Sequence, residues 1–478
     1  MSTRPPTAPP AAAAARACGG DCVDRMGARP PLQPDPVSTV TRLPSPAPQT
    51  RPARRFLMLH GPSSLFFPRL AAALEARGAE AHRIHLCPGD ALYWGRRPRG
   101  RSYRGDAAGW PAFLADMMAR EGITDLALLG DNRPRHREAV ALARATGVRV
   151  HHVELGLVRP DWLTIEPNGA GPALPLPETP EAVAALARAE PPEERRLFPP
   201  SFPEYAALDV VWNLSNLLFS WATHPHYERH ATWHPTAEWA GFLWKLVRAR
   251  RDRAHAAAVW EAWGWEAWGA GDAPLFLLPL QLRTDFQIRV HGPDPDLRVT
   301  MAGVIRDFAR NAPPEARLLV KEHPGDNGMT PWRRLLRAEA ARHGAEPRVE
   351  VIDGGDLNAM LDRAAGVVTV NSTVGLSALR RGVPVKALGR AVFAREGITD
   401  PQPLRGFWRA PMAPDAARVA DLLGALGWAT QVRGGFEGAG VTAGAAAMAE
   451  RMLAPARLPG EAGRAAWPRL SGKARTSC

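Results

Sequence analysis

The residue types between Val367 and Gly382 are those of an anion-binding turn. In VVTVNSTVGLSALRRG an apolar stretch runs into Asn371, Ser372 and Thr373 and continues directly into a helical pattern. Hydroxyl groups and free backbone N–H groups then lie together at a helix N-terminus, where the helix dipole favours an anion. Gly375, just inside the helix, would allow a ligand to approach the backbone closely. An ordinary helix cap without a ligand is the alternative interpretation.

A second set of candidate side chains ends another apolar stretch, in LLVKEHPGDNG. Lys321 and His323 stand at the end of a predicted strand, and Pro324 follows them. Beside a phosphate, Lys and His neutralise the charge that develops on a leaving nucleotide. The alternative is an exposed lysine and a turn histidine, because His-Pro pairs also occur at His224 and His234.

Three carboxylates stand at the ends of predicted strands: Asp131, Glu154 and Asp285. A carboxylate in such a place can accept a proton from a hydroxyl group or act as a nucleophile in sugar transfer. Helix capping or pairing with an arginine is the alternative for each of them. The arginines close enough in sequence for such pairing are Arg133, Arg159, Arg283 and Arg289.

Alternating strands and helices are needed to position these side chains. From residue 55 onward, short apolar stretches such as FLMLHG and AHRIHL alternate with amphipathic patterns of about a dozen residues. This alternation predicts a parallel sheet with helices on both faces. Ligands bind beyond the carboxyl ends of the strands in such sheets, which directs attention to the loops 61–64, 131–133 and 154–161.

The alternation stops after about residue 167 and restarts near residue 275. Between these points, residues 168–205 are rich in Pro, Ala and Glu, and residues 206–268 are helical in pattern with nine of the sixteen tryptophans. Core or interdomain packing is the usual role of such tryptophans, and contact with sugars or lipid is the alternative. The predicted fold class is α/β, with two Rossmann-like domains facing across a cleft and a helical Trp-rich segment between them.

This organisation gives five predicted segments. They are a disordered leader (1–54), an N-terminal Rossmann-like acceptor domain with the Trp-rich segment (55–270), a C-terminal Rossmann-like nucleotide-sugar domain (271–430), a C-terminal helix (431–466) and a disordered tail (467–478).

The net charge of +12 belongs mainly to the two ends of the chain. Residues 1–55 carry eight Arg against three Asp, and residues 451–478 carry six Lys or Arg against one Glu. The positive charge therefore does not predict nucleic-acid binding by the folded part, although basic tails can contact anionic lipid. The four cysteines have neither metal-site spacing nor a disulfide pattern, so we expect a reducing, cytoplasmic compartment.

Taken together, seven stretches resemble the capsule polysaccharide biosynthesis and export family of the KpsS/LipB type. In family order, over about residues 55–410, they are FLMLHGPSSLFFPRLAAALEARG, HRIHLCPGDALYW, ITDLALLGDNRPRH, VELGLVRPDWLTIE, LPLQLRTDFQIRVH, LVKEHPGDNG and VNSTVGLSALRRGVPVKALGRAVF. Each stretch alone is weak, and the combination is specific.

This resemblance implies a GT-B-like glycosyltransferase that takes Kdo, an eight-carbon sugar acid, from CMP-Kdo. It implies a (lyso)phosphatidylglycerol-type lipid acceptor, a peripheral position on the cytoplasmic face of the inner membrane, and contacts with other capsule biosynthesis and export proteins. The donor nucleotide is expected in the C-terminal domain. No cofactor, metal ion or nucleic acid is expected, because a donor with one phosphate needs no divalent ion to neutralise a diphosphate.

The resemblance also implies roles for individual residues. His323 and Pro324 match a His-Pro motif that contacts CMP, with Lys321 and Asn371 beside the donor, and Ser372 and Thr373 match a pair on the phosphate side. Glu154 matches the acid that handles the acceptor proton, and Gln281 and Asp285 match residues that enter the second domain. If the reaction retains configuration, Asp285 is the favoured nucleophile and Asp131 the second choice.

Two positions depart from the family pattern, and one rival function stays open. Leu155 stands where a second acid is common, and Gly325 follows the His-Pro pair where a bulkier residue is usual. Both departures leave the acceptor less defined. The rival function is a non-catalytic component that holds a CMP-sugar or a lipid within a capsule assembly complex.

Overall fold

The computed structural model describes residues 54–131, 133–167, 174–187, 191–199, 201–229, 233–263, 273–283 and 286–458. The predicted leader (except residue 54), the predicted tail and Asp285 therefore lie outside the described residues, as does the expected domain border at residue 270.

Twelve strands are formed by the described residues. They are β1 (Arg55–Met58), β2 (Glu80–His85), β3 (Gly100–Ser102), β4 (Asp125–Leu129), β5 (Arg149–Leu155), β6 (Trp162–Pro167), β7 (Leu275–Pro279), β8 (Arg317–Lys321), β9 (Val349–Ile352), β10 (Gly366–Thr369), β11 (Val385–Ala387) and β12 (Gln431–Arg433).

Fifteen α-helices are found among the same residues. They are α1 (Phe66–Glu75), α2 (Pro88–Trp94), α3 (Trp110–Arg120), α4 (Pro134–Thr146), α5 (Pro180–Leu186), α6 (Phe202–Thr223), α7 (Pro235–Ala262), α8 (Phe286–His291), α9 (Leu297–Asn311), α10 (Trp332–Arg342), α11 (Leu357–Arg363), α12 (Val374–Arg380), α13 (Leu404–Phe407), α14 (Ala416–Thr430) and α15 (Gly440–Leu453). None of the helices in the described ranges is both long and apolar enough to cross a membrane.

Two separate sheets carry the fold. The first has the order β12-β6-β5-β4-β1-β2-β3 and the second the order β11-β10-β7-β8-β9. Strands β1 to β5 pair in parallel, and so do all five strands of the second sheet. Central strands such as β7 are apolar and buried along their whole length, because helices cover both faces of a parallel sheet. The predicted α/β fold class with two Rossmann-like sheets is confirmed.

The first sheet ends in an antiparallel edge that the strand–helix pattern did not predict. Strand β6 pairs antiparallel with β5, and β12 pairs antiparallel with β6 after the chain has completed the second sheet. Helix α15 then packs on α1, where Ala445 and Met448 join the core of the first sheet. Residues 431–453 thus belong to the first sheet in space, although they follow the second in sequence.

A buried carboxylate fastens the first sheet at the ends of its central strands. Asp125 is fully buried and accepts hydrogen bonds from Arg149 (2.9 and 3.1 Å), from His151 (2.8 Å) and from Nε of Arg54 (3.0 Å). Burial would raise the pKa of Asp125, but hydrogen bonds from His151, Arg54 and Arg149 outweigh it and hold the pKa well below its usual range. The ionised form therefore stabilises the fold.

We predict that Asp125→Asn lowers the free energy of unfolding by about 2–4 kcal/mol at pH 7, because the partly buried guanidinium groups of Arg54 and Arg149 lose their carboxylate partner. Since the folded-state pKa is lowered, this contribution is present above the unfolded pKa near 4 and is lost as the pH falls. Urea unfolding at pH 7 and at pH 3, below the unfolded pKa, would measure both effects. The control is Asp116→Asn, which removes a surface pair with Arg120 and should change stability by less than about 0.5 kcal/mol. An equal loss in both variants would contradict the prediction.

Candidate functional site

The carboxyl ends of β7, β8 and β10 bring three predicted donor-site segments together. Gln281 follows β7, His323 follows β8 and Asn371 follows β10. Gln281 donates to the Asn371 side chain at 2.8 Å and accepts from the Asn371 backbone N–H at 3.2 Å. This reciprocal pair holds the loops after two neighbouring strands in one fixed arrangement.

His323 is oriented by the backbone that follows it. Its Nδ1 accepts a hydrogen bond from the Gly325 N–H at 3.0 Å, so the neutral ring carries its proton on Nε2. Burial lowers the pKa of His323, and Arg159 lowers it further. The side chain is thus a neutral Nε2–H donor at pH 7. A Cβ on Gly325 would lie 3.2 Å from Nδ1 of His323, so the absence of a side chain there leaves room for the imidazole beside the Gly325 N–H.

Lys321 and Lys245 both contact the loop after β9, and Lys245 also contacts the loop after β8. Lys321 is buried and donates to the Gly354 carbonyl at 2.8 Å. Lys245, from α7, lies 3.1 Å from the Asp353 carboxylate and donates to the carbonyl of Asp326 at 3.2 Å, with the His323 carbonyl at 3.4 Å. Lys245 has no motif around it, and nothing in the sequence pattern predicted it beside the His-Pro turn.

Ser372 and Thr373 form the turn that opens α12. The Ser372 hydroxyl accepts from the Val374 N–H at 3.2 Å, and the Ser372 N–H donates to the Thr369 hydroxyl at 3.2 Å. The Thr373 side chain makes no capping hydrogen bond. The reason given for Gly375 was wrong, because a Cβ there would lie 2.7 Å from the Phe393 ring. The missing side chain makes room for Phe393 and not for a ligand.

Glu154 lies at the carboxyl end of β5, between two constrained glycines. A Cβ on Gly130, which has a φ of +62°, would lie 2.8 Å from the Glu154 carboxylate. A Cβ on Gly156 would meet the Trp162 carbonyl at 2.4 Å, where the β5–β6 connection closes. Gly130 therefore leaves room for the Glu154 carboxylate, and Gly156 leaves room for the β5–β6 connection. The neighbouring Leu155 is 45% exposed.

Asp131 lies at the end of the adjacent strand β4 and is partly exposed. Its carboxylate is 4.0 Å from Nδ1 of His152, a fully buried side chain. Burial lowers the pKa of His152 to about 4, and Asp131 opposes that shift. The Asp131 carboxylate also tends to raise the pKa of His291 in α8. Because α8 belongs to the second domain, the two domains approach each other here. Asp285, the favoured nucleophile, is outside the described residues.

Arg159 joins the two edges electrostatically. It donates to the Gly156 carbonyl at 3.0 Å, in the loop after β5. Burial lowers the pKa of Arg159, and the carboxylates of Glu154 and Glu437 oppose that shift. Because Arg159 also acts on the pKa of His323, one guanidinium lies within electrostatic range of both the Glu154 carboxylate and the His-Pro turn. The carboxyl edges of both sheets therefore contribute to one charged site.

Comparison with known proteins agrees with the resemblance. Residues 124–436 match the family model described as capsule polysaccharide biosynthesis protein. The chain belongs to this family. It is 30% identical to the capsule polysaccharide modification protein LipB of Neisseria meningitidis serogroup A, over 76% of this chain and 87% of LipB. It is 29% identical to the capsule polysaccharide export protein KpsS of Escherichia coli, over 79% of this chain and 96% of KpsS.

A solved structure is also similar over most of the chain. It is Thermosulfurimonas dismutans KpsC, titled a beta Kdo 2,7 transferase, with 15% identity and a TM-score of 0.37 over 78% of this chain and 90% of that one. A TM-score this low supports no argument about the site.

The matched region of this capsule polysaccharide biosynthesis protein contains Glu154, Gln281, His323 and Ser372. It ends at residue 436, beyond β12, so the strand that returns to the first sheet is part of the match. The site described above therefore lies wholly inside the region that defines the family.

A buried charged cluster beside Glu154 was missed by sequence reasoning. Asp90 accepts from Arg83 at 2.8 Å, contacts Nδ1 of His60 at 3.1 Å and accepts from the Leu86 N–H at 3.1 Å. Burial opposes ionisation of Asp90, but His60 and Arg83 hold its pKa well below the usual range. Arg133 lies within electrostatic range of Asp90 and of Glu154. These residues come from the loop after β1, from β2, from α2 and from the N-cap of α4, so no local pattern links them.

Three side chains of a type that can bind metal also meet in this cluster. His60, Cys87 and Asp90 place one potential ligand atom each within 4.8 Å of the others. Two features disfavour a cation, since Asp90 is already ion-paired with Arg83 and burial raises the pKa of the Cys87 thiol well above its usual value.

The loop 61–64, which was expected to meet a ligand, contacts α6 in the structure. Ser63 in this loop donates a hydrogen bond to Asp209 at 2.9 Å.

A cavity of about 480 Å³ lies behind the His-Pro turn, between α7 and the second sheet. Glu322 lines it together with Asp353, and Lys245 and Arg333 are among its cationic residues. Burial raises the pKa of Glu322 to about 7, with Asp353 and Asp326 adding to the shift. Glu322 is adjacent to His323 in sequence, yet neither His323 nor Gln281 nor Ser372 lines this cavity.

We predict that Glu322→Gln stabilises the protein at pH 8 by about 1–2 kcal/mol. A fully buried carboxyl group with this pKa shift would contribute about 3 kcal/mol, but solvent screens Glu322 in part. The folded-state pKa is raised, so the native carboxyl group stabilises the fold only while protonated, and this stability is lost between about pH 4.5 and 7. Urea unfolding at pH 5 and pH 8 would show a gain only at the higher pH. Glu261→Gln, at an exposed position of α7, is the matched control and should give the same small change at both values. A gain that does not depend on pH would contradict this explanation.

Proposed function

We propose that this protein is a glycosyltransferase that moves Kdo from CMP-Kdo to a (lyso)phosphatidylglycerol-type lipid and so builds the capsule linker for export. The observation that carries the proposal is the position of Arg159, which acts on Glu154 of the first sheet and on His323 of the second. A transferase needs an acid or base for the acceptor and cationic or N–H donors for the leaving nucleotide at one place.

The second sheet would hold the donor. His323 presents an Nε2–H donor, Pro324 is exposed beside it, and Ser372 and Thr373 stand on the phosphate side with Asn371 and Gln281 fixing the loops. CMP leaves with one phosphate, so His323 and Arg159 together would stabilise the charge that develops on it. Lys321 is proposed to act at longer range, since its ammonium group already has a backbone partner.

The first sheet would hold the acceptor. The Glu154 carboxylate accepts the proton of the acceptor hydroxyl as the new C–O bond forms at the anomeric carbon. The Arg159 guanidinium lies within electrostatic range of this carboxylate.

Retention of configuration is proposed through two displacements. In the first, a carboxylate attacks the anomeric carbon of Kdo while the bond to the CMP phosphate breaks and its electron pair leaves with CMP. In the second, the acceptor oxygen displaces the carboxylate and its proton passes to Glu154. Asp285 is the proposed nucleophile and Asp131 the second candidate.

The proposed setting is the cytoplasmic face of the inner membrane, where a peripheral enzyme can meet both a water-soluble donor and a lipid acceptor. Partners among the capsule biosynthesis and export proteins would receive the product. No divalent ion is required in this mechanism, so turnover should persist in a chelator.

We predict that purified protein adds one Kdo residue to a fluorescent lysophosphatidylglycerol when CMP-Kdo is generated in place. Glu154→Gln should reduce kcat by about 10²–10⁴-fold with little change in CMP affinity, because it removes only the proton acceptor. His323→Ala should lower both CMP affinity and kcat, because it removes a donor to the phosphate. Mass spectrometry of the lipid and titration calorimetry with CMP would measure the two effects separately.

His343→Ala, which changes a histidine remote from the site on α10's C-terminal end, is the matched control and should keep full activity. Absence of product with tight CMP binding would instead favour the non-catalytic component. Absence of both would reject the donor assignment.

A further inference from the structure

The outward faces of α6 and α7 are unusual for helices of a folded protein. Among the 22 residues of α6, only Ser215 and Asn216 are fully buried. The large apolar side chains of the same helix point to solvent, with Phe219 55% and Trp221 79% exposed. From residue 210 to the end of α6 there is no charged residue. An amphipathic helix of a soluble domain has the opposite distribution.

The inner side of α6 explains why its polar residues face the protein. Asn216 accepts from the backbone N–H of Gly89 at 2.8 Å, at the start of α2, and Asp209 accepts from Ser63 in the loop after β1. Trp212 fills the space that a side chain at Gly89 would need. The helix is thus attached to the carboxyl edge of the first sheet by polar contacts, and its apolar side is left uncovered.

Helix α7 shows the same distribution and adds positive charge. Its exposed apolar residues are Leu243 (65%), Trp244 (59%), Leu246 (64%) and Val247 (75%). Its buried side carries Gly241 against the Asn327 carbonyl, the carboxylate Asp252, and Ala256 and Val259 in the core. Between residues 239 and 258 every exposed charged side chain is an arginine: Arg248, Arg250, Arg251 and Arg253.

We propose that the exposed faces of α6 and α7 form a docking surface for an anionic phospholipid bilayer. Exposed Trp, Leu and Val beside a row of arginines is the composition of helices that lie in a membrane interface, where apolar groups enter the acyl boundary and cations meet phosphate headgroups. A second copy of the chain is disfavoured as the occupant, because a symmetric contact would bring the same arginines together.

The surface is attached to the candidate site at two points. Helix α6 contacts the loop after β1, and Lys245 of α7 holds the carbonyls of the His-Pro turn after β8. Docking would therefore hold the carboxyl edges of both sheets near the lipid surface. This step extends the proposed function and rests on it for the lipid acceptor, whereas membrane binding itself is measured without any donor.

Vesicle flotation tests the proposal with two compositions, phosphatidylcholine alone and a 7:3 mixture with phosphatidylglycerol. The wild-type protein should float with the anionic vesicles. Arg250→Gln/Arg251→Gln should lower its partition coefficient about thirtyfold at low salt, and 0.5 M NaCl should remove most of that difference. Phe219→Ser/Trp221→Ser and Leu243→Ser/Val247→Ser should each lower it about tenfold or more, with less dependence on salt.

Matched controls remove similar groups elsewhere. Val299→Ser/Met412→Ser deletes two apolar side chains that are 55% and 52% exposed, and Arg306→Gln/Arg310→Gln deletes two exposed arginines of α9. Both should bind vesicles like the wild type. Equal binding by all variants, or no binding by the wild type, would overturn the proposal. So would a dimer in sedimentation analysis that only the α6 and α7 variants dissociate.

Calorimetry with CMP on the same variants separates this proposal from the proposed function. Unchanged CMP affinity in variants that no longer float would support a surface distinct from the donor site. If the wild type floats but binds no CMP, the donor assignment fails and the docking surface stands.

Discussion

The return of the chain to the first sheet is the constraint on which the site depends. After the second sheet is complete, β12 pairs antiparallel with β6, and α15 packs on α1. The second domain is thereby connected to the first at both of its ends. The return also places Glu437 within range of Arg159, the residue that acts on Glu154 and His323. Without it, the carboxyl edges of the two sheets would be linked by one segment only, and their charged groups would have no fixed relation.

Buried ionic networks then fix the local geometry inside the first domain. Asp125 joins β4 to residues of β5 and to Arg54, and Asp90 joins α2 to β2 and to the loop after β1. Two or more hydrogen-bond donors surround each carboxylate, and their interactions offset the desolvation cost of burying its charge. The Asp125 network fixes the amino ends of β4 and β5, and the Asp90 network lies within electrostatic range of Arg133.

Sequence reasoning predicted what depends on local pattern. The alternation of apolar strands and amphipathic helices predicted both parallel arrays of strands. It could not predict the pairing of β12 with β6, since a contact such as Gln431 with Thr164, 267 positions apart, leaves no periodic trace. The same limit applies to Lys245 and Asp90, whereas Arg159 was expected near a carboxylate because it lies close to Glu154 in sequence. Gly375 shows a different limit, because a glycine in a turn indicates missing volume without indicating whether a ligand or Phe393 fills it.

The polarity of α6 follows from the same constraints. A helix that covers the end of a strand must satisfy backbone N–H groups there, so the residues it turns inward have to be polar, as Asn216 is for Gly89. Trp212 packs inward beside Gly89, whereas Leu218, Phe219 and Trp221 face outward, where water makes them costly unless another phase covers them. Lys245 imposes a related requirement on α7, because its contacts with the His-Pro turn fix which side of that helix faces solvent. The features that hold the two loops in place therefore also determine which apolar and cationic groups the protein presents outward.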